Sequence, residues 1–531
     1  MSATLSLLDG DITYESATQT DRNVINQLAY VPASKALYQS LWEQQHAISA
    51  VVKRHLRLCH QDTCTVLPQS QWIQGSFNLC IPVQVTSGAR NTKVLLRCPM
   101  PHKLPEVDEK LRCEVGTYVW MQENCRDVRI PYLYGFGFSD HHQFTHMTQR
   151  PWYIRLMHRF KRFSFKLLGY PSLSQYMEIP MSNRLPTAYM LLEYVDTDVG
   201  QILSNIWTGQ RAVPVRGENL LRSLAQLMLS LARIPQPRIG SFEFRDDCTV
   251  TLTNRPLTCS MVILENNGTP RAMQRSDTYL STESFVADML SVHDNRFLSD
   301  PNAIYDDDDC RSQMAIRTVL RALSHHYIKK ERRNGPFFLQ FTDLHPSNIL
   351  VDDEWNITCL IDLEWVCALP AEMMAAPYWL TGYKIDELEG QRLDEFDKVR
   401  KGFTHIFEGL ERGMPVTYGL SLARLMNEMW DIKGFWFWHC IGSVNAMLYV
   451  LADHVCPSYG LHLSAETEEI LSRLWCEDSE KVVKRKIAEQ ESYQQELRRL
   501  FGIDEIGQLS PGKGKTGSPR RSNEGQGPGG S

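Results

Sequence analysis

The sequence predicts an α+β chain in which a small antiparallel-sheet region precedes a larger, mainly helical one. Short apolar runs crowd between residues 79 and 195: Leu79, Ile81, Val83 and Val85 in alternation, then Val94 to Cys98, then Tyr189 to Val195. Period-two alternation is the mark of strands. From residue 193 to about 507 helical spacing takes over, as in Leu220, Leu224, Leu227 and Leu231. Within that helical part, residues 341–365 read as two short strands joined by a turn and edged with acids.

At 531 residues the chain exceeds one ordinary domain, and a two-lobed unit with insertions fits its length as well as two separate domains. With 43% hydrophobic and 10% aromatic residues it is globular over most of its length. A formal charge of -6 gives no overall polyanion-binding signature, so no nucleic-acid partner is expected. Fourteen cysteines lie scattered without CxxC spacing, which reads as reduced thiols and neither a disulfide framework nor a zinc site. Met1 to Gly10 lacks a basic region followed by an apolar core, so the expected location is cytoplasmic.

In chain order, residues 1–64 form an N-terminal extension. Residues 1 to about 35 are expected to run over the surface, and Ser34 to Cys59 to form one amphipathic helix marked by Leu37, Leu41, Ile48, Val51 and Val52. Residues 65–192 hold the sheet. Trp72 to Asn78 is a tight turn, Lys93 to Cys98 a strand, and Val107 to Gln122 a helix. Residues 139–186 form an insertion whose centre, 150–166, is basic and aromatic. Such a helix fits an anionic membrane, but the preferred reading is a solvated lid with its aromatics packed on the body, because the rest of the chain is acidic.

In residues 193–507, helices are expected at Ser281 to Phe297 and Cys310 to Ile328. Between them, Asp306 to Asp309 suit a helix N-terminus better than an amine-binding site. A charged helical stretch runs from Asp386 to Arg412. Gly434 to Val455 is nearly long enough to span a bilayer, but His439, Asn445 and Asp453 interrupt it, so a buried helix is expected and no transmembrane segment. Ala465 to Phe501 reads as a last charged helix, and residues 508–531 as a disordered tail.

The chemistry concentrates in Asp343-Leu344-His345-Pro346-Ser347-Asn348 and Ile361-Asp362-Leu363-Glu364-Trp365. Asp352 to Asn356 is the turn between the strands, so Asp343, Asn348 and Asp362 fall at one end of a hairpin. Asp343 suits a base that takes a proton from an attacking hydroxyl. Asn348 offers a neutral oxygen to Mg²⁺ and Asp362 a charged one, both hard ligands for a hard ion.

These two segments resemble the catalytic and metal-binding loops of the aminoglycoside phosphotransferase family, a branch of the protein-kinase-like fold, and most closely its large fungal subgroup. The resemblance covers roughly residues 70–390 and is strongest at its C-terminal motifs. It implies a two-lobed kinase-like fold and ATP- and Mg²⁺-dependent transfer of the γ-phosphate to a hydroxyl of a small molecule. It places Gly75 and Ser76 in a loop over the phosphates, although an ordinary hairpin explains them as well. Arg97 stands where the family has a phosphate-binding Lys, with Lys93 on the same strand face. Glu114 becomes its ion-pair partner or, equally, a helix-surface acid, and Glu193 ends the strand where adenine would meet the backbone.

Phe341 stands where most of the family has His, and the Arg97 substitution is not neutral. The alternative reading is therefore a catalytically weak pseudokinase that binds a nucleotide or a partner. A Ser/Thr protein kinase is disfavoured, because no Ala-Pro-Glu segment follows Asp362 and Asp362-Leu363-Glu364 replaces Asp-Phe-Gly.

Overall fold

The computed structural model describes residues 4–88, 90–171, 173–180, 185–210, 214–414, 419–443 and 447–503; the expected tail at 508–531 lies outside them. The architecture is the expected α+β one, an antiparallel sheet in the N-terminal part followed by a larger helical part. The main sheet runs in the order Thr63–Val66, Asn78–Ser87, Arg90–Pro99, Tyr189–Glu193, Leu133–Gly137, Gln143–His146 and Tyr176–Ile179. Every pairing in it is antiparallel, and the two-residue strand Ile73–Gln74 adds to Asn78–Ser87. Leu79, Ile81, Val83 and Leu96 lie fully buried on this sheet, as the alternation requires.

Residues 4–35 do more than cross the surface. They form a hairpin, Thr4–Leu7 with Gly10–Thr13, and short helices that bury Ala17 and Val24 against Tyr493, Leu497 and Phe501 near the other end of the chain. The Val24 N–H donates to the Tyr493 hydroxyl at 3.0 Å. A contact across 469 residues leaves no local periodic trace. The helix expected at 34–59 is two, Tyr30–Glu43 and Gln45–His55.

Helix Val107–Asn124 is buried along most of its length. One side meets the hairpin Ser241–Phe244 with Val250–Asn254, where Trp120 stacks on Phe242 at 5.3 Å. Gly116 makes that approach possible: a Cβ there would sit 3.0 Å from the Phe242 backbone. The helix is thereby fixed with Lys110 and Glu114 pointing into the molecule, both nearly inaccessible to solvent.

In the helical part, the helix expected from Cys310 starts three residues earlier, as Asp307–Tyr327, with the acids at its N-terminus and the Asp306 side chain accepting from Asp309 N at 2.9 Å. Acids at that end complement the helix dipole. Two expected single helices are divided. The apolar stretch after Gly434 forms Gly434–Gly442 and Met447–Val450, burying Phe435 to Trp438, and the last charged stretch forms Ala465–Trp475 and Ser479–Leu500. Among the described residues no helix is long and apolar enough to cross a membrane.

The insertion departs most from expectation. Helix Trp152–Leu167 exists, but most of its aromatics do not pack on the body: Trp152, Phe160 and Phe163 are 73%, 64% and 66% exposed, while Phe165 is half-buried. The local pattern that predicted an amphipathic helix is met, and its apolar side faces water.

Candidate active site

Two nested strand pairs bring the acidic segments together. Phe337–Phe341 pairs antiparallel with Val366–Pro370, and the next residue, Thr342, donates through both its N–H and its hydroxyl to the Trp365 carbonyl at 2.9 and 3.0 Å. Inside this pair lies the expected hairpin, Ile349–Val351 with Ile357–Leu360, closed by Ile361 N donating to Asn348 O at 3.0 Å. Residues 343–348 and 361–365 therefore run side by side at one end of the ladders. The turn between the strands is organised by the Asp352 carboxylate, which accepts from Glu354 N and Asn356 N. Its Trp355 is buried and stacked on Trp207 at 5.4 Å, which anchors the hairpin to the core.

Asp362 adopts a left-handed backbone, φ 66°. For a side chain other than Gly this costs about 1–3 kcal/mol and persists only where the surroundings impose it. In this conformation its carboxylate meets Arg97, whose Nη2 lies 2.7 Å from Asp362 Oδ1. The same guanidinium pairs through Nη1 with Glu114 and reaches Glu364 at 3.3 Å. Arg97 thus joins the sheet to the helix Val107–Asn124 and to the acidic loop.

A second cation completes the cluster. Lys110, one helical turn before Glu114, pairs with it at 2.8 Å and with Glu364, and donates to Asn78 Oδ1 at 3.1 Å. Asn78 in turn donates to both Glu364 oxygens at 3.3 and 3.0 Å. Three carboxylates and two cations are held here, all but Asp362 almost fully buried. Burial alone would lower the pKa of Lys110 and of Arg97, but the surrounding carboxylates outweigh it and hold both above their ordinary values. Glu364 is pushed up by burial and by the charge of Asp362, with Lys110 and Arg97 opposing.

Asp343 sits outside this cluster, with about a third of its side chain open to solvent. Burial of the carboxyl and the nearby Glu364 charge raise its pKa, while His345, 3.9 Å away, opposes them. The Asn348 amide uses its Nδ2 to donate to the Asp343 carbonyl oxygen at 3.1 Å, which turns its Oδ1 the other way. Phe341 is half-buried against the main core, so the aromatic ring serves there as packing.

Oxygens of Glu114, Asp362 and Glu364 lie within 4.8 Å of one another. With the Asn348 amide oxygen nearby in the chain, the donor set is hard and anionic, and it suits Mg²⁺. Two cations already offset most of the charge, so a metal would share these carboxylates with Arg97 and Lys110.

The remaining expected residues stand further out. Gly75 N donates to Asn78 O at 2.8 Å in the turn before the Arg97-facing strand. A Cβ on Gly75 would meet only that oxygen, at 3.6 Å, so the turn itself does not demand glycine. Phe77 pins this turn, Ser76 included, to the acidic loop by edge-on contact with Trp365 at 5.0 Å. Lys93 is exposed, its ammonium 5.1 Å from the Tyr194 ring, and does not join Arg97. The Glu193 carboxylate accepts from Arg129 and from Tyr132 N, both at 3.0 Å, and so ties strand to loop.

The sequence assigns no site role to Lys110 or Asn78, and Glu364 enters only as part of the motif around Asp362. Lys110 carried a usable signal, since it lies four residues before Glu114, read as an ion-pair partner or equally as a surface acid.

No family model matches the chain, and no curated protein matches it. Among solved structures it is similar to an ethanolamine kinase of Plasmodium vivax, with 14% identity, 81% of this chain and 86% of that one covered, and a TM-score of 0.34. It is similar to a protein described as a fructosamine-3-kinase of Haemophilus somnus, with 11% identity, 82% and 98% coverage, and a TM-score of 0.34. A macrolide 2'-phosphotransferase type I gives 11% identity, 81% and 96% coverage, and a TM-score of 0.31. Likenesses at this level leave the chemistry to be argued from this chain's own side chains.

Proposed function

We propose that the chain is a kinase-like phosphotransferase that moves the γ-phosphate of ATP, with Mg²⁺, to a hydroxyl of a small molecule. The observation that carries this reading is the bridge from Glu114 through Arg97 to Asp362, which places a buried cation between a helix acid and the acidic loop. A polyphosphate approaching that loop would meet a guanidinium already oriented and a second cation, Lys110, behind it.

In this reading Asp343 takes the proton of the acceptor hydroxyl. The freed oxygen forms the new bond to the γ-phosphorus as the bond to the bridging oxygen breaks, and ADP leaves with that electron pair. Mg²⁺ bound by Asp362 and Asn348 would supply charge neutralisation for the phosphate oxygens. Arg97 orients the phosphates, Glu114 fixes Arg97, and Lys110 with Asn78 hold Glu364 beside the loop. The partly open position of Asp343 suits a group that must reach an acceptor, and its raised pKa suits a proton acceptor.

The second reading, a nucleotide- or partner-binding module, is favoured by one feature: Asp362 is held by Arg97, and Glu364 by Lys110 and Asn78. Such a site can persist as a structural clasp without turnover. Incubating the protein with Mg²⁺ and γ-labelled ATP across a panel of hydroxylated amines and sugars distinguishes the two. Label appearing on an acceptor supports transfer, whereas nucleotide binding without product on any acceptor or cell extract assigns the module.

A further inference from the structure

Helix Trp152–Leu167 falls in the connection between the last two strands of the sheet, Gln143–His146 and Tyr176–Ile179, and has no fully buried side chain. Its contact with the body runs through Ile154, His158, Arg162 and Phe165, each half-buried, and Arg162 pairs with Glu123 at 3.0 Å. These positions recur every three or four residues and define one helix side. Trp152, Leu156, Phe160, Phe163 and Leu167 define another, facing away from the body, and are between 45% and 76% exposed. Contiguous apolar exposure of this kind marks an interaction surface.

The charge beside this face selects the partner. Arg155, Arg159 and Lys166 run along one flank and are exposed. From His141 to Met177 there are six Lys and Arg residues and no Asp or Glu, in a chain whose net charge is -6. A second copy of the chain would bring the same cations against these, a like-charge contact that opposes association. An aromatic face bordered by cations matches the boundary between headgroups and acyl chains of an anionic bilayer, which attracts the cations and accepts the rings. At sixteen residues the helix is about 24 Å long, shorter than a hydrocarbon core and charged along one side, so it would lie in the surface plane.

We propose that helix Trp152–Leu167 docks the protein on an anionic lipid surface, with its aromatic face set into the headgroup boundary. The proposal stands independently of the phosphotransfer reading, because none of its residues belongs to the acidic site.

Flotation of the full chain with phosphatidylcholine vesicles, with and without phosphatidylserine, tests it. Binding is expected only with phosphatidylserine and is expected to weaken as salt rises. Phe160→Asp with Phe163→Asp should reduce it by about tenfold or more. Arg155→Glu with Arg159→Glu should also lose it, and Asp343→Asn should retain it. Phe160, Phe163, Arg155 and Arg159 are exposed and Asp343 is partly so, and circular dichroism with thermal melting checks that each variant is folded. Failure of the intact protein to bind the anionic vesicles would overturn the proposal, as would equal binding by the double Asp variant. A concentration-dependent dimer abolished by Phe160→Asp, with no vesicle binding, would assign the face to a second copy instead.

Discussion

Two helices joined by one ion pair, Arg162 with Glu123, break the ordinary rule of burial in opposite directions. Helix Val107–Asn124 places Lys110 and Glu114 in the interior, whereas helix Trp152–Leu167 places Trp152, Phe160 and Phe163 in water. The first inversion is tolerated because every buried charge has an opposite partner and Asn78 satisfies what remains. Aromatics in water demand no such partners, and the second inversion persists without them. Departures of both kinds are where a fold records something other than stability.

The contrast breaks most readily at Lys110. Lys110→Met removes one of the two cations that Glu114 and Glu364 share and leaves Arg97 alone to offset both, and should lower unfolding free energy by about 3–5 kcal/mol in a urea titration. A loss below about 1 kcal/mol would mean that the cluster is looser or wetter than these contacts imply. Arg97→Lys keeps the charge but cannot bridge Glu114 and Asp362 together. Mg²⁺-ATP affinity measured by calorimetry should fall about tenfold.

A smaller effect is expected at His345. Asp343 must be ionised to accept a proton, so turnover falls as pH drops through its raised pKa. His345 opposes that rise, and His345→Ala should therefore move the acidic limb of the pH–rate profile to higher pH by a fraction of a pH unit. The smallest effect sharpens the comparison from the other helix. Phe163→Ser should change stability by no more than about 0.5 kcal/mol, because the ring already lies in water. A large loss there would show that the face is packed in solution.

Local patterns carried the sheet, the Leu220 to Leu231 helix and the hairpin around Asp352, because alternation, helical spacing and turn-forming acids act over a few residues. They also carried Asp343, Asn348 and Asp362 as neighbours, since one hairpin sets all three. What escaped was set by long-range packing. The burial of Val24 against Tyr493 and the buried position of Trp355 against Trp207 depend on partners far away in sequence. Lys110 escaped because a lysine on a helix ordinarily faces solvent, whereas here Glu364 and Asn78, far away in sequence, hold it inside.

Mg²⁺-ATP binding and phosphate transfer, measured side by side on the intact chain and on Asp343→Asn, test the phosphotransferase assignment most directly. The assignment predicts that both proteins bind Mg²⁺-ATP with similar affinity, while transfer falls by about 10²–10⁴-fold in the variant. Failure of the folded intact chain to bind Mg²⁺-ATP, or undiminished transfer by Asp343→Asn, would contradict it.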